Sequence, residues 1–170
     1  MRKALLFFFV IVIVAGCGKT DDQDLYESAK ENIKNEEYID ALADFRKLVD
    51  NFPKTKYRAE AYFELGKLYH GKVDKNLTEE QCYKQAIKYY ESVFKNFPDD
   101  VNAPNALFMT AFLYANELGD LDSARDDYQK FLEKYPNHEM AASAQAELDN
   151  LGVSAEEILQ RKLAEGESEQ

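Results

Sequence analysis

Acid–base, nucleophilic and metal chemistry draw on histidine, cysteine and carboxylates, and in this 170-residue chain those groups are scattered rather than gathered. His70 and His138 are the two histidines, and neither sits near a cysteine or at a paired ligand spacing such as H-E-x-x-H. His138 followed by Glu139 reads as a helix start. Asp21, Asp22 and Asp24 faintly suggest a calcium loop, but the glycine and terminal glutamate of such a loop are missing from their positions. The adjacent pairs Asp99-Asp100 and Asp126-Asp127 are what any acidic helical surface shows, so they carry no weight as general acid and base. There is no phosphate-cradling glycine loop and no nucleophile elbow. The expectation is a chain with no catalytic residue, no metal and no cofactor.

The two cysteines have different neighbourhoods. Arg2 and Lys3 precede an apolar run from Ala4 to Val14, and Val14-Ala15-Gly16-Cys17 closes it with small residues. A spanning helix needs roughly 20 apolar residues. This run is shorter, and its basic, apolar, small-residue order is that of a cleaved export signal. The ending Val-Ala-Gly-Cys resembles the lipobox of bacterial lipoproteins. That resemblance implies a diacylglyceryl thioether on Cys17, cleavage before it, and acylation of the new amino terminus. An ordinary secreted protein, in which Cys17 merely neighbours a cleavage site, or an uncleaved anchor is the alternative. Two or more acyl chains anchor stably where one does not. Gly18, where an inner-membrane-retained lipoprotein often has aspartate, leans toward the outer membrane. With Cys17 modified, Cys82 has no partner for an intrachain disulfide. It reads as a small buried hydrophobe, a cross-link to another molecule being the alternative.

Losing residues 1–16 removes Arg2 and Lys3 and moves the net charge from -11 to -13 over the remaining 154 residues. That length suits one domain with a sizeable core. The acidity argues against nucleic acid, whose phosphates demand clustered lysine and arginine, and against broad adhesion to anionic lipid. Lipid on Cys17, not protein charge, would hold the chain to a membrane.

The elements that must position any site show as an internal repeat. Ala41–Pro53 (ALADFRKLVDNFP), Ala86–Pro98 (AIKYYESVFKNFP) and Ala124–Pro136 (ARDDYQKFLEKYP) align without gaps. Their apolar residues fall at positions 0, 4, 7, 8 and 11, one stripe of an α-helix, and proline ends each. A second helix follows every proline: Ala61, Phe63, Leu65, Gly66 and Tyr69 match Ala106, Phe108, Thr110, Ala111 and Tyr114, with Ala144, Ala146 and Leu148 as a partial third copy. Thr78–Gln81 reads as a capping box that starts a longer helix.

These residues resemble the tetratricopeptide repeat, an aromatic, Leu-Gly and Tyr on a first helix and Ala, aromatic and Pro on a second; Tyr62, Leu65-Gly66 and Tyr69 carry the first half. The prolines are 45 and then 38 residues apart rather than at the family's constant period, with extra residues after each proline and in Gly71–Gln85. The resemblance implies an all-α fold, a right-handed superhelix of stacked helical hairpins. Its expected layout is a signal peptide at 1–16, a lipidated tether at 17–23, repeats over 24–152, a capping helix at 153–165 built on Ser154, Glu157, Ile158, Leu159 and Leu163, and a polar tail at 166–170. The tether spans only ~25 Å. By the Leu65-Gly66 alignment, the positions facing the family's concave groove are Glu60, Phe63, Lys67 and His70, then Asn105, Phe108, Phe112 and Ala115. Phe63, Phe108 and Phe112 are candidate apolar anchors, burial in the core being the competing role for each.

Lipobox and lengthened repeats together resemble the BamD family, lipoproteins of the outer-membrane β-barrel assembly machinery, best between Leu25 and Tyr69. The resemblance implies a non-catalytic envelope scaffold whose partners are β-barrel assembly components or unfolded outer-membrane protein segments. Residues 119–148 also resemble the periplasmic repeat protein of the Tol-Pal system, which has no lipid.

Overall fold

The computed structural model describes residues 21–154, 156–160 and 163. Cys17, the signal segment 1–16, tether residues 17–20 and the tail 166–170 lie outside the described residues. The described chain is helical: α1 (Asp22–Lys34), α2 (Tyr38–Asn51), α3 (Arg58–His70), α4 (Glu79–Asn96), α5 (Ala103–Leu113) with a π-helical turn (Tyr114–Leu118), α6 (Leu121–Lys134) and α7 (Ala141–Asp149). Packing runs in chain order, each helix chiefly against its sequence neighbours. The antiparallel pairs α1/α2, α3/α4 and α5/α6 are the three repeats and α7 opens a half repeat, an α-solenoid as expected.

The proline-ended segments are α2, α4 and α6, and each buries its stripe: Ala41, Phe45, Leu48 and Val49; Ala86, Tyr90, Val93 and Phe94; Ala124, Tyr128 and Phe131. All three stop in the same way. The aromatic before proline (Phe52, Phe97, Tyr135) leaves helical φ/ψ, with φ of −124°, −134° and −128°, because proline's ring disfavours the α region for the residue before it. Its N–H still closes the last helical hydrogen bond, to Leu48, Val93 and Phe131.

The next three-residue turn is also repeated, although its residues differ. Thr55, Asp100 and His138 each donate their N–H to the carbonyl of that aromatic at 3.0, 3.0 and 3.1 Å. The side chain of each then accepts the N–H two residues on: Tyr57 to Thr55 Oγ1 at 3.3 Å, Asn102 to Asp100 Oδ1 at 2.8 Å, Met140 to His138 Nδ1 at 3.2 Å. Three chemistries do one job, satisfying a backbone donor just ahead of α3, α5 and α7. His138 therefore belongs to the turn, and α7 starts three residues later than the His138-Glu139 reading placed it.

Both ends differ from the expected boundaries. The tether was expected to reach residue 23, but α1 begins at Asp22 because Asp21 and Asp24 form a capping box, with Asp21 Oδ1 accepting the Asp24 N–H at 2.8 Å. Those aspartates complete a helix start, as a capping box does. Thr78 and Gln81 do the same for α4. At the other end residues 156–160 are helical and Ser154 Oγ accepts the Glu157 N–H. Leu159 and Leu163 stay 57% and 61% exposed. Ile158 of the expected capping stripe is half-buried.

Two helices approach closely at Gly66. A Cβ there would stand 2.5 Å from Cε1 of the buried Tyr90 ring on the facing helix. Gly66→Ala gains about 1 kcal/mol of helix propensity but overpacks a site that costs roughly 1–3 kcal/mol. The expected net is a lower urea midpoint; a midpoint at or above the parent's would show that the ring can step aside.

Asp127 on α6 is mostly buried, 3.9 Å from Lys130. Burial, with the charge of Glu91 adding to it, pushes its carboxyl up to about 6 despite Lys130. A folded pKa above the unfolded one means that protonation favours the fold: the contribution is complete below about pH 4 and is lost as pH rises through 6. Asp127→Asn should therefore stabilise by about 2 kcal/mol at pH 7.5 and hardly at all at pH 4, measured by thermal melting at both pH values.

Candidate protein-interaction groove

The first helices of successive hairpins, α1, α3 and α5, lie side by side, and side chains join them along one face. Tyr26 of α1 donates its hydroxyl to Glu60 Oε2 of α3 at 2.7 Å, and Lys30 Nζ lies 2.8 Å from Glu60 Oε1 and 3.8 Å from Glu64 Oε1. Lys67 reaches back to Glu64 at 2.8 Å. Two carboxylates thus meet two ammonium groups, and the cluster is neutral. Burial would raise the Glu60 carboxyl, but hydrogen bonds from Lys30 and Tyr26 and the charges of Lys30 and Lys67 hold it below its ordinary value. The same bond to Glu60 holds Lys30 protonated beyond its usual range, against its burial. Burial, then the Glu60 carboxylate, raises the Tyr26 phenol.

Beside this cluster a cleft of about 600 Å³ opens between α3, α5 and the residue that precedes α7. Four of the six residues expected from the sequence line it: Phe63, Lys67 and His70 from α3, and Asn105 from α5. Phe63 lies against Tyr90 with ring centroids 5.6 Å apart, and the Lys67 ammonium sits 6.0 Å from the Phe63 ring centroid. His70 is half-buried near Tyr83 and Phe112, 6.3 Å from each ring. Burial, with Lys72 adding to it and Glu117 opposing, lowers its pKa, so the imidazole is neutral at pH 7 and presents a polar but uncharged edge.

Two expected residues take other places. Phe108 is 8% exposed and packs edge-on to Tyr128 and Phe131 at 5.6 and 5.9 Å, as core. Phe112 tilts against the His70 ring and does not line the cleft. In their stead Met109 and Met140 supply the apolar wall. Met140 belongs to the turn ahead of α7, so its place depends on how far the stack curls. A flexible thioether suits a wall that must adapt to what it meets. Phe63, Met109 and Met140, with the polar edges of His70, Asn105 and the ion-paired Lys67, give the cleft a lining suited to an apolar side chain. Among the described residues no group of three or more histidine, cysteine or acidic side chains could hold a metal ion, and no helix is long and apolar enough to cross a membrane.

The chain contains no tryptophan, so Phe63→Trp places a single reporter in the cleft. Its emission should be readily quenched by acrylamide, whereas that of Phe108→Trp should be shielded; equal quenching would contradict the division between wall and core.

Residues 105–138 match the family described as tetratricopeptide repeat, a span that takes in α5 from its third residue, the π-helical turn and α6. No curated protein matches the chain. Among solved structures, PcrH from Pseudomonas aeruginosa is similar at 21% identity and a TM-score of 0.55, over 83% of this chain and 98% of that one. The likeness to PcrH is one of fold.

Proposed function

We propose that this protein is a lipid-anchored, non-catalytic interaction scaffold of the bacterial cell envelope, held on the outer membrane through Cys17 and facing the periplasm. There it would keep a partner polypeptide beside the bilayer during outer-membrane protein assembly. The observation that carries the binding half is the cleft between α3 and α5: apolar walls next to a charge cluster whose four members neutralise one another. Such a surface favours apolar side chains of an extended segment over an ion or a polar metabolite. Support for the anchoring half is the order of basic leader, apolar run and Val-Ala-Gly-Cys. With α1 starting at Asp22, the link from Cys17 to the solenoid would be five residues at most, roughly 17 Å.

Labelled palmitate given to cells expressing the parent and Cys17→Ala tests the anchor. Incorporation should vanish in the variant; label that persists would overturn lipidation at this residue, and a parent that takes up no label would favour the unlipidated Tol-Pal type of role. For the groove, a photo-crosslinking amino acid is placed at Phe63 and, as a control, at Val101, which is 82% exposed on the turn between α4 and α5. Adducts to β-barrel assembly components or outer-membrane polypeptides should form from position 63; equal adducts from both positions would overturn the groove reading.

A further inference from the structure

We propose that the rim built by the α1–α2 turn and the α3–α4 loop is a second docking surface, continuous with the groove, for a partner segment that carries an apolar side chain beside lysine or arginine. This rests on the groove reading above.

Three observations converge on that rim. Tyr38 and Ile39, at the start of α2, are 43% and 67% exposed. They border a cleft of about 440 Å³ that Val73 of the α3–α4 loop completes on the other side. Second, the rim joins the groove without a break. Gly71 borders the groove, the rim cleft and an intervening pocket of about 300 Å³ whose walls are Ile33, Leu68 and Val73. Lys67 borders both that pocket and the groove. An extended chain leaving the groove past Gly71 meets Leu68, Ile33, Val73 and Tyr38, beside the ion-paired Glu64 and Lys67, on its way to Ile39.

Third, the charge of the rim is unlike that of the groove. In the groove every carboxylate is matched by a lysine. On the rim Glu36, Glu37 and Asp40 line the cleft together, and among the described residues no ion pair or side-chain hydrogen bond holds any of them. Glu37 is the N-cap residue of α2, yet its carboxylate makes no cap hydrogen bond. The one cation in the cleft, Lys75, is turned to the Lys72 carbonyl at 2.9 Å. Three unmatched carboxylates around an exposed isoleucine select a base next to an apolar residue. They also repel a second copy of this acidic chain.

The test uses the full-length chain in micelles of a neutral detergent, with empty micelles as blank, and two fluorescein-labelled twelve-residue peptides. Both have the same alternating leucine and serine core; one is flanked by two arginines, the other by two glutamines. Anisotropy should show the arginine peptide binding about fivefold tighter, the scale of two exposed charge pairs. The triple change Glu36→Gln, Glu37→Gln, Asp40→Asn should abolish that preference while leaving the glutamine peptide's affinity unchanged, with an unaltered melting curve. Phe63→Ala should weaken both peptides. A parent that does not prefer arginine, or a preference that survives the triple change, overturns the rim inference. Retention of glutamine-peptide binding by Phe63→Ala instead overturns the groove reading, so the two failures are distinguishable. Self-association in sedimentation that Ile39→Ser relieves would assign the patch to a second copy and also overturn the proposal.

Discussion

A ring laid on a residue almost without a side chain is the contact on which the architecture turns. Tyr90 fills the space that any Cβ at Gly66 would occupy, and the other hairpins likewise bury a small residue on the first helix and a ring on the second: Ala29 and Phe45 before it, Ala111 and Tyr128 after it. A small residue lets the backbones close in, and the ring fills the interhelical space to interior density. Because the ring belongs to the second helix, the first helices remain in a row with one face uncovered. The open trough is a consequence of where the bulk is placed.

What lies along that face decides what it can recognise. Lys30 and Lys67 would make the trough basic if Glu60 and Glu64 did not sit between them. Their mutual neutralisation removes long-range attraction for ions and leaves shape and apolar surface as the means of selection. The interhelical bonds from Tyr26 and Lys30 to Glu60 also tie α1 to α3, the first helices of adjacent hairpins, so the polar cluster contributes to the spacing of the trough as well as to its charge.

Much of this was legible in the residues. Proline after an aromatic located the ends of α2, α4 and α6, since the stereochemistry is local, and Thr78–Gln81 marked the start of α4 for the same reason. The groove was legible only in part. Phe63 and Phe108 hold matching places in their helices, yet Phe108 is covered by Tyr128 and Phe131 while Phe63 keeps an open side. Identity at a repeat position does not say how much the next hairpin hides. Met140 and the rim around Ile39 were invisible because they depend on how turns fold back on the stack. The π-helical turn Tyr114–Leu118 had no sequence signal; its end is plain afterwards in Gly119, whose φ of 66° suits glycine.

Packing that runs in chain order has a mechanical corollary. With each helix among the described residues resting chiefly on its immediate neighbours, small rotations at every interface accumulate along the solenoid. The trough therefore has the construction of a soft spring, in which small rotations shared among many interfaces would sum to a change of curvature, and tension on a tethered partner would be felt as that change.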